Sequence, residues 1–69
     1  MNDHNAIIRM EIFDALYVLR KTSLEHLERQ TGYVEGMIIA AAFLKAIDGD
    51  LEKCFRKILK RYRRLVIGR

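Results

Sequence analysis

A chain of 69 residues, 51% apolar and 32% charged, has room for one domain with one core. At that size only about 60% of the unfolded surface becomes buried. One cysteine, Cys54, excludes an internal disulfide, and His4, His26 and Cys54 make no zinc-spaced set, so neither a metal nor a cofactor is expected. The net charge of +4, with no apolar run long enough to span a bilayer, points to an anionic partner and not to a membrane span.

Proline is absent, glycine occurs only at 32, 36, 49 and 68, and good helix formers dominate. The expected fold is therefore all-α: one domain over residues 1–69, a compact bundle of about four helices. The N-terminal stretch MNDHNAIIRMEIFD mixes acids and an arginine into its apolar residues, which does not fit a secretory signal. A cytoplasmic location is expected.

The first helix is predicted over Asn5 to Lys21. Ile8, Ile12, Leu16 and Leu19 recur at helical spacing, and Phe13 and Tyr17 widen the stripe. Thr22-Ser23-Leu24-Glu25 reads as a capping box that opens a second, short helix over Ser23 to Gln30, with Leu24 and Leu27 inward. Gly32 fits the position just beyond its end.

A third helix is predicted over Val34 to Ile47. Met37 to Leu44 carries no polar residue, so burial on most sides is expected, by the other helices or by a second chain. Asp48-Gly49-Asp50 breaks it, and either aspartate can cap the next helix. That last helix is predicted over Leu51 to Ile67. Leu51, Cys54, Phe55, Ile58, Leu59, Tyr62, Leu65 and Val66 form its apolar stripe, which makes Cys54 a small core residue. Lys53, Arg56, Lys57, Lys60, Arg61, Arg63 and Arg64 occupy the other side.

Charge is divided along the chain. Residues 1–49 hold five Lys/Arg and seven Asp/Glu, a net −2, whereas residues 50–69 hold eight and two, a net +6. A basic helix on a mildly acidic body suits phosphates, whose neutralisation releases counterions without reading base sequence. The same face could be plain solvated surface or could meet an acidic protein. Contact with anionic lipid is disfavoured, because the apolar side of the helix is needed for the core.

Residues 24–43 also allow a helix-turn-helix reading, with Gly32 in the turn. Its groove-facing positions would be Val34, Glu35, Gly36, Ile39, Ala40 and Phe43. None carries the Arg, Lys, Asn, Gln, Ser or Thr groups that read base edges. The segment therefore reads better as core or interface. Catalysis is not expected: His26 lies between Glu25 and Glu28 with no nucleophile or pocket signal.

The run DALYVLRKTSLEHLER resembles the opening helices of the Hha/YmoA family of small enterobacterial regulators. The run AFLKAIDGDLEK, with Phe43, Ala46, Asp48 and Leu51, is similar to that family's third-helix region. The resemblance implies an all-helical protein that modulates transcription by binding the nucleoid protein H-NS and adding positive charge to its DNA complex. It also implies that Asp48 contacts the partner.

The resulting expectation is a non-enzymatic, nucleoid-associated bacterial regulator. The seven cations of the last helix would contact DNA phosphates. Ile39, Phe43, Asp48 and Asp50 would bind a partner, either a nucleoid or other regulatory protein or a second copy, and a homo-oligomer is expected. The alternatives are a protein-interaction module (adaptor, chaperone or inhibitor) with an acidic partner, or a helix-turn-helix repressor.

Overall fold

A computed structural model describes residues 4–69. The described residues form three α-helices, α1 (His4–Lys21), α2 (Leu27–Phe43) and α3 (Gly49–Ile67), and one 3-10 turn at Leu24–His26. Each helix packs against both others. Arg9 on α1 donates to the Ala46 carbonyl just past α2, and Arg63 on α3 reaches Glu28 at the start of α2. Arg69 donates to the carbonyls of Arg20 and Thr22 at the end of α1. These cross-links define an up–down–up bundle in which α1 and α3 run parallel. Its extents are 42 × 18 × 14 Å.

The core follows from helical spacing. Ile12, Leu16 and Leu19 of α1, Val34 and Ile38 of α2, and Phe55 of α3 are the largest fully buried side chains. Phe13 meets Phe55 edge to face at 5.0 Å, with the rings inclined by 75°, and so extends the core to the α1–α3 seam. At Gln30, a side-chain amide donates to the Ala15 carbonyl at 3.2 Å and ties α2 to α1.

The bundle has three helices, not about four, because the two predicted middle helices are one. Leu27, Thr31, Val34, Ile38 and Ala41 form a continuous buried stripe across the expected break. Gly32 and Gly36 each disfavour a helix interior by about 1 kcal/mol relative to alanine. Burial of that stripe outweighs both. Before α2, the predicted capping box is not formed: Ser23 is the cap of the 3-10 turn and its side chain makes no capping bond. Leu24, predicted inward, is 65% exposed.

At its far end α2 stops at Phe43, four residues before the predicted Ile47. Ala46 N–H donates to the Ala41 carbonyl and Lys45 N–H to the Ala42 carbonyl, the paired bonds of a Schellman ending. Lys45 takes the left-handed position with φ 60°, where glycine is usual. Ala46 and Ile47 then fold back as buried plugs. Asp48 caps α3: its Oδ1 accepts from Leu51 N–H at 2.8 Å.

Candidate nucleic-acid interface

All seven candidate cations lie on α3, but they fall into two groups. Arg56 donates to Glu52 one turn earlier at 3.0 Å, with the acid N-terminal to the base as such pairs prefer. Arg63 donates through both Nε and a terminal nitrogen to Glu28 of α2, the shorter contact being 2.6 Å. These two cations lie on the α2 flank of the helix and are neutralised within the chain.

Lys53, Lys57, Lys60, Arg61 and Arg64 make no ion pair among the described residues. All five are exposed. Their spacings of four, three, one and three residues place them on one face of α3. At 1.5 Å per residue the strip is about 17 Å long, which matches about five phosphates along one DNA strand. A shallow depression along it is lined by Lys57, Lys60, Arg61, Arg64 and Leu65.

Such a strip is costly in isolation. Like charges three or four residues apart on a helix destabilise it by about 0.2–0.5 kcal/mol per pair. Lys53–Lys57, Lys57–Arg61 and Lys60–Arg64 all stand at that spacing. A polyanion laid along the face would relieve this repulsion. Arginines among the cations add fork-shaped donors suited to phosphate oxygens.

Arg20 is a cation that reading the last helix alone misses. Because α1 and α3 run parallel, the end of α1 stands beside the basic half of α3. Arg20 lines a second, adjacent depression that shares Arg61 and Leu65 with the first, and its guanidinium lies 5.5 Å from the Tyr62 ring centroid. Lys21 lies 4.5 Å from the Tyr17 ring. The only sequence signal was a basic pair in the last turn of α1, and nothing local said which helix that turn would meet.

The candidate partner residues divide differently. Ile39 and Phe43 stand on the outward face of α2, and Phe43 is 84% exposed. Burial of Met37 to Leu44 on most sides is thus not observed, since the chain covers only the Val34–Ile38–Ala41 side. Asp48 is engaged as the α3 cap, and Asp50 sits in the first turn of α3, where its charge suits the helix dipole.

Other candidates change place. Cys54 is exposed at the edge of the α3 stripe, not a core residue, because it lies beyond the arc that α1 covers. Leu65, on the same edge, is also exposed. No turn forms between Gln30 and Val34, so the two segments required by the helix-turn-helix reading are a single helix, and Val34 is buried within it. His26 is exposed at the junction of the 3-10 turn and α2. Among the described residues, no group of three or more His, Cys, Asp or Glu side chains could hold a metal ion, and no helix is long and apolar enough to cross a membrane.

Comparison with family models, curated proteins and solved structures finds no match. The likeness to the Hha/YmoA family rests on the runs DALYVLRKTSLEHLER and AFLKAIDGDLEK alone.

Proposed function

We propose that this chain is a non-enzymatic, DNA-associated regulator whose α3 lies along the phosphate backbone without reading base sequence. The observation that carries the reading is the strip of five exposed cations without carboxylate partners, Lys53, Lys57, Lys60, Arg61 and Arg64. Arg20 extends that strip onto α1. The resemblance to Hha/YmoA supports a nucleoid setting, with positive charge delivered to a DNA complex and Asp48 near a partner protein.

The test is fluorescence anisotropy of unrelated labelled duplexes titrated with the protein across a salt series. Engagement of four to five phosphates gives a slope of log affinity against log salt of about −4, the same for every sequence. Replacing Lys57, Lys60, Arg61 and Arg64 together with glutamine removes most of that slope. A strong preference for one duplex would overturn sequence-independent contact. So would a variant that binds as well as the parent.

A second reading is favoured by the pairs Arg56–Glu52 and Arg63–Glu28, in which the same helix accepts carboxylates. On that reading α3 meets an acidic protein surface and the duplexes do not bind near physiological salt.

A further inference from the structure

The outward face of α2 combines two features that nothing inside the chain explains. Gly32, Gly36 and Ala40 recur every four residues along it, and glycine is among the least favourable residues in a helix interior. A Cβ built on Gly32 or Gly36 would meet nothing within 4 Å, so packing within the chain does not require either glycine. Beside these small residues stand Tyr33, Ile39 and Phe43, all large and more than half exposed. A bare helix track flanked by uncovered apolar side chains suits a second helix at close range.

We infer that the α2 outer face is a homodimer interface, with two copies of α2 packed antiparallel about a two-fold axis near Gly36. The small residues Gly32, Gly36 and Ala40 of this face form its central track, with Tyr33 on one flank, Ile39 on the other and Phe43 toward the C-terminal end. An antiparallel dyad at Gly36 sets Ile39 across from Tyr33, Ala40 across from Gly32, and Phe43 across from Arg29. That last pair places a guanidinium by an exposed ring.

Charge agrees with this orientation. Glu25 lies just before α2 and Lys45 just past its end, so antiparallel packing brings these opposite charges to the same end of the pair, Glu28 being held by Arg63 of its own chain. The helix dipoles also oppose one another. A parallel pair would stack like charge on like. With Leu44 included, the exposed apolar side chains offer on the order of 500 Å² per copy, about the 1,000 Å² in total that a specific interface needs. An interface of one patch with itself is the usual form of a symmetric dimer. The dimer does not depend on the nucleic-acid reading, because α2 contributes none of the α3 cations.

Sedimentation equilibrium without nucleic acid tests the inference. At tens of micromolar the chain is expected at twice its 8.1 kDa mass. Gly36→Gln obstructs the track, yet it meets no atom of its own chain and places a better helix former there. It should weaken the dimer at least 100-fold while helical content and melting temperature of the monomer hold or rise. Orientation is read by cysteine pairing in a Cys54→Ser background. Gly36→Cys should cross-link to itself, and Phe43→Cys should cross-link to Arg29→Cys but not to itself. A parent chain that stays monomeric at millimolar concentration would overturn the inference. An undisturbed dimer in Gly36→Gln, or Phe43→Cys linking to itself, would do so too.

Discussion

Arg63 and Glu28, 35 positions apart in sequence, form a two-nitrogen contact that pins the end of α3 to the start of α2. The pair also removes one cation from the basic helix. Because Glu28 is largely exposed, the bond adds little to stability, about 1 kcal/mol or less. Its larger effect is on charge. Glu28→Gln should leave urea unfolding nearly unchanged, within about 1 kcal/mol, and release Arg63 for phosphate. The salt slope of duplex binding should then steepen by about 0.9. An unaltered slope with tight binding would mean that Arg63 lies away from the nucleic acid.

Lys45 holds a backbone conformation that costs a side-chain-bearing residue about 1 kcal/mol. Lys45→Gly should therefore stabilise the fold by about that amount and raise the melting temperature by about 4–8 °C. Differential scanning calorimetry decides. A lower melting temperature would show that the lysine side chain supplies a compensating interaction.

Thr31 is buried in the middle of α2, and its Oγ1 has no hydrogen-bond partner among the described residues. A polar atom in that position costs about 1–3 kcal/mol. Thr31→Val, nearly the same shape, should raise stability by about 1 kcal/mol in urea titrations, whereas Thr31→Ser should lower it.

Asp48 caps α3 through the Leu51 amide, whereas the resemblance assigns it to partner contact. The two roles are separable by substitution. Asp48→Ala should cost about 1 kcal/mol, and Asp48→Asn should restore most of it, because the amide oxygen caps nearly as well. Partner binding that depends on the negative charge should fail in both variants. Binding that needs only a well-formed α3 should recover in Asp48→Asn.

The uncompensated strip predicts an unusual salt response. Screening weakens the repulsion among Lys53, Lys57, Lys60, Arg61 and Arg64 more than it weakens two surface ion pairs. The melting temperature should therefore rise between low and moderate ionic strength, by an amount corresponding to about 1 kcal/mol. Short polyphosphate should reproduce the rise at far lower concentration.

Much of this architecture was legible residue by residue. α1 and α3 follow from their apolar spacing, with ends within two residues of expectation. The middle of the chain misled because two local signals competed with tertiary burial. Gly32 resembles a helix terminator, yet it sits inside a helix whose buried stripe continues from Leu27 to Ala41. The true ending uses Lys45, a residue with no preference for that conformation. On the candidate site, amphipathic spacing announced which cations face outward. It could not show that Arg63 is neutralised by a distant acid, or that Arg20 comes to stand beside Arg61. Both depend on how the helices are placed.

The core draws on the inward positions of α3, chiefly Phe55, Leu59 and Val66, and leaves its outer arc without a packing duty. That arc is consequently free to change without disturbing the core. Lineages could add, lose or invert charges there and retune what the protein adheres to, while the fold passes unchanged through every intermediate sequence.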